Sequence, residues 1–122
     1  MKTIPLYEIA YARSGDKGSS ANIGVIAYTA TGYKFLKKTL LASKVETYFK
    51  PLGVGRVIRY ELPNLGALNF MLPKVLAGGG SQSLRIDSQG KALGQALLEM
   101  RLKISKNTLI YCRSNKKTAK ND

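Results

Sequence analysis

The sequence contains no histidine, and its single cysteine is Cys112. Without histidine the chain lacks the commonest general base and the commonest zinc ligand, and every histidine-based catalytic triad is excluded. One cysteine cannot form an internal disulfide, and without histidine it cannot build a structural zinc site. Only seven Asp and Glu residues are present, so any catalysis has to use Asp, Glu, Lys, Tyr, Ser or Cys. We therefore expect no metal site and no bound cofactor.

Long apolar runs are also lacking. None approaches the roughly 20 residues of a membrane-spanning helix, and the N-terminal residues MKTIPLYEIAYARS lack the apolar stretch of a secretory signal. The chain has 122 residues, of which 44% are hydrophobic and 22% charged, a balance that suits one soluble domain. We expect a cytoplasmic protein without a membrane partner, with one domain over residues 1–112 and a disordered basic tail over residues 113–122.

Negative charge is scarce, because 20 Lys and Arg residues face seven Asp and Glu residues and the net charge is +13. Many basic residues lie in the C-terminal tail, and a second group is spaced as the solvated face of a helix: Lys34, Lys37, Lys38, Lys44 and Lys50. No RNA-binding aromatic motif, zinc finger or basic-leucine pattern accompanies them. We expect a solvated surface that binds polyanions without sequence preference, and no specific nucleic-acid partner.

The hydrophobic period changes several times along the chain. It predicts strands at residues 3–12, 23–30, 56–62 and 107–112, and helices at residues 33–49 and 88–100. The segment at residues 65–76 is ambiguous between a strand and a short helix, since Pro73 must open or break an element. This order favours an α+β domain with helices packed on one face of a largely antiparallel sheet.

The segment ARSGDKGSSANIG, residues 12–24, is expected to be a loop between the first two strands. In one interpretation, its glycines and serines present backbone N–H groups to an anion, with Arg13 and Lys17 alongside. In the other, Gly15 and Gly18 supply turns with positive φ, and Asp16 pairs with Arg13 or Lys17 to stiffen the loop. A Walker A register is absent. The sequence leaves both interpretations open.

A second glycine-rich segment, AGGGSQSLRID, spans residues 77–87. Its three glycines either end a helix and form a hinge or form a backbone anion nest with donors from Ser81, Ser83 and Arg85. We expect the two glycine-rich segments to converge at one end of the sheet, where they would surround a pocket for a carboxylate or phosphate.

Further candidates lie in the segment RYELPNLGALNF, residues 59–70. Arg59 and Glu61 share one face of a strand, where they form an ion pair or, alternatively, Glu61 joins Asn64 in a polar site. Cys112 is a weak candidate nucleophile. Four aromatic residues are assigned to the core or to an interface rather than to base stacking: Tyr7, Tyr11, Tyr28 and Phe70.

Four motifs occur in order along the chain: ARSGDKG, NIGVIA, RYELPNLGALNF and GGGSQSLRIDSQGKALGQALLEM. Together they resemble the small C-terminal domain of the acyclic terpene utilisation (AtuA) family, over roughly residues 6–102. The resemblance implies a ferredoxin-like fold and a role linked to the breakdown of acyclic terpenes or related branched acyl compounds. It also implies a larger partner similar to the family's N-terminal domain. It assigns no catalytic residue, and the Lys-rich helix and basic tail depart from the family pattern.

Three functions compete on this basis. The favoured one is an accessory or partner-binding domain of an AtuA-like system that contacts an anionic acyl-type ligand. The alternatives are a small enzyme of branched acyl or terpenoid catabolism that uses Asp16, Lys17 or Glu61, and a non-specific nucleic-acid-binding protein. A sheet edge and the apolar residues around Tyr60 and Phe70 predict a homo-oligomer, most simply a dimer. The expected ligand-binding residues are Arg13, Ser14, Gly15, Asp16, Lys17, Gly18, Asn22, Gly79, Gly80, Ser81, Ser83 and Arg85.

Overall fold

The computed structural model describes residues 1–17, 20–73 and 91–113. Within these ranges the strands are β1 (Lys2–Pro5), β2 (Ala10–Lys17), β3 (Ser20–Ala27), β4 (Ile58–Leu62), β5 (Ala67–Leu72) and β6 (Arg101–Ile104). The α-helices in the same ranges are α1 (Ala30–Thr39), α2 (Ala42–Tyr48), α3 (Lys91–Leu98) and α4 (Lys106–Cys112). Short 3₁₀ turns occupy Leu6–Glu8, Lys50–Leu52 and Pro63–Leu65.

The main sheet has four antiparallel strands in the order β2-β3-β5-β4, and β1 and β6 form a separate antiparallel pair. The connection from β3 through α1 and α2 leads to β4, and β5 lies between these two strands. This is the split βαβ unit of ferredoxin-like domains. From β2 to α3 the order is ββαββα, with α1 and α2 counted as one helical layer, which is the ferredoxin-like order βαββαβ begun at another strand. The expected α+β, ferredoxin-like fold is confirmed.

One face of the four-stranded sheet is buried under the helices. α1 contacts β3, and α3 contacts both β2 and β3. The sheet residues below them are almost inaccessible to solvent: Ala21, Ile23 and Val25 on β3, and Leu68, Phe70 and Leu72 on β5. They join apolar side chains of α2, α4 and the β1–β6 pair in one buried cluster. The described residues therefore form a single core, on the helical side of the sheet.

The helical segment predicted at residues 33–49 is two helices. α1 begins earlier than expected because the Thr29 hydroxyl accepts a hydrogen bond of 2.9 Å from the Gly32 N–H and caps the helix. α1 ends at Thr39, and Arg59 of β4 donates hydrogen bonds to the Leu40 and Lys37 carbonyl oxygens. These bonds satisfy carbonyl groups that a helix end leaves without an intrahelical partner. The five predicted surface lysines of this region are all exposed.

The expectation of a loop across residues 12–24 is wrong. β2 continues to Lys17 and β3 starts at Ser20, so most of this segment is a paired hairpin. Gly15 lies opposite Asn22 in that hairpin. Among the described glycines the positive φ angles belong to Gly53 and Gly66, so the assignment of Gly15 to a turn is also wrong. Polar residues and glycines are tolerated in these strands because an antiparallel sheet can expose one face to water.

The expected last strand at residues 107–112 is wrong too, because these residues belong to α4. Its β-branched and aromatic side chains favour a strand by propensity, but tertiary contacts override propensity here. The Ser105 hydroxyl caps the helix by accepting a 3.2 Å hydrogen bond from the Thr108 N–H. Leu109 and Cys112, three residues apart, are both buried and give the helix its apolar face.

Other boundaries also differ from expectation. The strand predicted at residues 3–12 is interrupted by the 3₁₀ turn Leu6–Glu8, where the Leu6 N–H donates to the Met100 carbonyl at 2.8 Å. The ambiguous segment at residues 65–76 contains β5. Arg113, the first residue of the expected tail, forms a 3.0 Å ion pair with Glu8, and the rest of that tail lies outside the described residues.

Candidate functional site

The second face of the four-stranded sheet carries a row of residues that the strand register places side by side. Arg13 lies opposite Gly24, Gly24 lies opposite Asn69, and Asn69 lies opposite Tyr60. We call these four residues the polar row. A Cβ atom added to Gly24 would meet the Arg13 carbonyl oxygen at 3.7 Å and Asn69 Oδ1 at 3.9 Å, which are ordinary contacts. Because Gly24 has no side chain, it leaves a gap in the middle of the polar row, and the bottom of this gap is main chain.

A hydrogen bond fixes one side of this gap. Asn22 Nδ2 donates to Asn69 Oδ1 at 3.2 Å, from β3 to β5. The Asn69 side-chain oxygen accepts this bond, so the Asn69 amide nitrogen Nδ2 remains available as a donor. No described residue accepts a hydrogen bond from this nitrogen. The Arg13 side chain is exposed and adds up to five N–H donors. The polar row is therefore rich in donors, which suits a carboxylate or a backbone carbonyl group.

Apolar side chains surround the polar row. Ile58, Tyr60 and Leu62 alternate along β4, so they share this face, and they are 46%, 49% and 39% exposed. At the other edge, Tyr11 and Tyr28 stack with ring centroids 5.8 Å apart, and both are exposed. Each of these five residues is at least 38% exposed among the described residues. We call the polar row together with these residues the open face, and contiguous exposed apolar surface of this kind marks interaction sites.

The structure places the expected ligand-binding residues on both sides of the sheet. Arg13, Gly15 and Asn22 lie on the open face, but Ser14 lies on the helical side, where its Oγ would be 3.1 Å from a Cβ at Gly94. The backbones of Asp16 and Lys17 belong to the end of β2. The side chains of those two residues, and the whole of Gly18, Gly79, Gly80, Ser81, Ser83 and Arg85, lie outside the described residues.

The ends of three elements lie close together on the sheet. β2 ends at Lys17, opposite Ser20, and the next residue of β3, Ala21, lies opposite Leu72 at the end of β5. α3 packs on β2, where Gly94 contacts Ser14. The helix begins at Lys91, about one turn before Gly94. The described chain therefore stops at β5 and resumes at α3 near the end of the β2–β3 hairpin.

The pairing predicted for Arg59 and Glu61 is confirmed. Arg59 Nη2 lies 2.9 Å from Glu61 Oε2, and Lys37 Nζ lies 3.9 Å from the other carboxylate oxygen. Arg59 also binds the carbonyl oxygens at the end of α1. The arrangement holds β4 to α1 on the helical side of the sheet. It places Glu61 in a structural ion-pair network on the face opposite the polar row.

The expected aromatic and nucleophilic candidates have different surroundings. Phe70 is fully buried in the core, whereas Tyr7, like the stacked tyrosines Tyr11 and Tyr28, is exposed. Cys112 is buried, and this burial raises the pKa of its thiol above the ordinary value of 9.0. Less of the reactive thiolate is present at neutral pH as a result, which makes Cys112 a poor nucleophile.

Neither a metal-ligand cluster nor a membrane-spanning helix occurs in the described part of the chain. Within residues 1–17, 20–73 and 91–113, no group of three or more His, Cys, Asp or Glu side chains is arranged to hold a metal ion. Over the same part of the chain, no helix has the length and apolar character required to cross a membrane.

Sequence reasoning missed Gly24 and Asn69 as site residues. The signal was present in the alternation of β5, because Asn69 falls between the core residues Leu68 and Phe70 and must point to the other face. Gly24 interrupts an apolar strand, which indicates a bulge or a close approach of another group. Neither signal identifies the neighbour across the sheet. That information comes from the register of β3 with β5.

Comparison with known protein families gives one match. The model of the AtuA ferredoxin-like domain matches residues 4–103, which covers most of the described elements and both strands of the hairpin. No curated protein matches the chain, and no solved structure does. The match agrees with the resemblance carried by the four sequence motifs.

Proposed function

This chain belongs to the AtuA ferredoxin-like domain family, and on that premise we propose that it is an accessory, partner-binding domain of an AtuA-like system. Its partner is a larger chain with a domain similar to the N-terminal domain of that family. The role is linked to the use of acyclic terpenes or related branched acyl compounds. The docking surface is the open face.

The observation that carries this proposal is the exposure of Ile58, Tyr60 and Leu62 on β4 beside the polar row. A monomeric domain gains no stability from apolar side chains in water, whereas their burial against a partner releases about 25 cal/mol for each Å² of apolar surface. Tyrosine and arginine are also the residues that most often dominate binding energy at interfaces. The open face offers both, in Tyr60 and Arg13.

Charge supports the choice of a protein partner with acidic groups. The chain has a net charge of +13, and Arg13 places a cation on the edge strand β2 of the open face. A partner carboxylate seated at Arg13 and Asn69 would accept charge-assisted hydrogen bonds there. Oppositely charged surfaces also accelerate association.

We further propose that the hairpin end of the domain contacts an anionic acyl-type ligand. This part of the proposal uses the basic and glycine-rich segments named from the sequence. It is supported by the finding that β5 ends and α3 begins beside the end of the β2–β3 hairpin. The two glycine-rich segments are joined to the described elements at the same end of the sheet, so both can contact one ligand there.

The test is co-purification from native cell extract with a tagged chain and two single variants. Tyr60→Asp puts a charge in the open face. Tyr111→Asp makes the same change on α4, which packs against α1, at a side chain that is 67% exposed and is not part of the open face. We expect the wild type and Tyr111→Asp to retain a chain similar to the family's N-terminal domain, and Tyr60→Asp to lose it. Equal recovery with all three proteins would refute docking through the open face.

The predicted homodimer uses the same exposed surface in a different way. If two copies bury the open face against each other, Tyr60→Asp will convert a dimer into a monomer in light scattering, without any other protein present. A wild-type monomer at high micromolar concentration would refute the homodimer and leave the open face to the larger partner.

A further inference from the structure

A cavity of about 440 Å³ lies between α1 and the turn that precedes β5. It is at the end of the sheet opposite the β2–β3 turn, because Ala27 at the end of β3 lines it and pairs with Ala10 at the start of β2. From α1 the cavity is lined by residues on one helical face, and from the turn by Pro63 and Gly66. The α1 residues are Ala30, Tyr33, Lys34 and Lys37.

Tyr33, which lines the cavity, carries a buried hydroxyl group. Tyr33 is only 9% exposed, and its hydroxyl is a buried side-chain atom for which no hydrogen-bond partner is found in the described part of the chain. Buried hydroxyl groups in proteins nearly always have a partner. Beside the Tyr33 ring, Ala27 and Gly66 contribute small or apolar surface. The lining of the cavity is therefore mainly apolar.

The rim of the cavity is positively charged. Lys34 forms no ion pair within the described residues. Lys37 reaches Glu61 at 3.9 Å, but that carboxylate is already held by Arg59 at 2.9 Å. Two ammonium groups about one helical turn apart on α1 thus border one mainly apolar cavity.

We propose that this cavity binds an amphipathic carboxylate, a small organic acid with an apolar body. The carboxylate lies against the ammonium groups of Lys34 and Lys37, and the apolar body fills the space between Tyr33 and the turn at Gly66. A volume of about 440 Å³ is in the range of small-molecule sites. Apolar walls with a cationic rim match the two ends of such a ligand. The cavity borders the open face at Tyr28, which lines it, but binding of this ligand does not depend on the proposed partner.

The first test is titration of the whole chain with decanoate below its micelle concentration, followed by calorimetry and amide NMR. We expect saturable binding of one decanoate, with the largest NMR shifts at Ala30 and Gly66. Decanol lacks the charge and inorganic phosphate lacks the apolar body, so each should bind at least about tenfold more weakly. Equal binding of decanol, equal binding of phosphate, or NMR shifts confined to other parts of the chain would each overturn the proposal.

The second test compares charge changes on one helix. The double variant Lys34→Gln, Lys37→Gln removes both rim charges, and we expect decanoate affinity to fall by about tenfold or more. Lys38→Gln is the matched control, because Lys38 is exposed on the same helix and does not line the cavity. We expect its affinity to stay within about twofold of the wild type. Equal decanoate affinities of the double variant and the control would overturn the proposal. The amide NMR signals of α1 in both variants show whether the helix is still folded.

Discussion

Gly94 of α3 lies directly against Ser14 of β2: a Cβ atom at residue 94 would be 3.1 Å from Ser14 Oγ and 3.4 Å from Ala12 Cβ. The absence of a side chain lets the helix approach the hairpin closely. This contact couples the position of α3 to the strand that carries Arg13 on its other face. It also accounts for a glycine in the interior of a helix, where alanine is normally better by about 1 kcal/mol.

The first prediction is that Gly94→Ala destabilises the protein by about 1–3 kcal/mol, because overpacking outweighs the gain in helix propensity. Urea unfolding followed by circular dichroism measures the change. The double variant Gly94→Ala, Ser14→Ala removes the closest contact, so the loss should be smaller than the sum of the two single losses. Additive losses would show that the two residues are not coupled.

The second prediction concerns the link between β4 and α1. Arg59→Met removes two hydrogen bonds to the end of α1 and the close ion pair with Glu61. We expect the free energy of unfolding to fall by about 1–3 kcal/mol. Arg56→Met, at an exposed residue just before β4, should change it by less than about 0.5 kcal/mol. Similar values for the two variants would contradict the assigned role of Arg59.

The third prediction uses the buried hydroxyl of Tyr33. Since this group has no partner in the described residues, Tyr33→Phe removes a polar atom that costs energy to bury. We expect the free energy of unfolding to rise by about 1 kcal/mol in the absence of ligand. Tyr7→Phe is the control, because the Tyr7 side chain is exposed and its hydroxyl is solvated. A Tyr33→Phe protein less stable than the wild type would contradict this description.

The fourth prediction concerns pH. Burial raises the pKa of Cys112 above 9.0 in the folded chain, so the unfolded chain loses this proton first as the pH rises. The contribution of Cys112 to stability is therefore full below its unfolded pKa and is lost as the pH rises through the folded pKa. We expect slow alkylation by iodoacetamide at pH 8 in native buffer and fast alkylation in urea. Fast alkylation of the native protein at pH 8 would contradict the burial of Cys112.

The sequence predicted the fold class because its strongest patterns are local. The apolar, β-branched run of β3 and the helical spacing around Leu36 and Val45 follow from which side chains must reach the core. The exposed lysines of α1 and α2 followed from the same spacing. The errors at residues 12–24 and 107–112 come from segments where local preference and tertiary packing disagree: glycines and polar residues in a paired hairpin, and β-branched residues in α4.

The candidate site was less accessible to sequence reasoning. Arg13 and Asn22 were named from the glycine-rich segment, but Gly24, Asn69 and Tyr60 were not named as site residues. The residues of the polar row come from four separate strands. Strand order and register alone place them in neighbouring positions. A periodic pattern shows which face a residue occupies, but it contains no information about the strand beside it.

The most direct measurement of the central claim is the affinity of the recovered larger AtuA-type chain for Gly24→Val. Valine is favoured in strands, and a Cβ at residue 24 meets only ordinary contacts, so we expect the variant to fold while its side chain fills the gap between Arg13 and Asn69. We predict that calorimetry shows affinity at least about tenfold weaker than for the wild type, whereas Tyr111→Asp binds like the wild type. Wild-type affinity in a folded Gly24→Val protein would contradict docking through the open face.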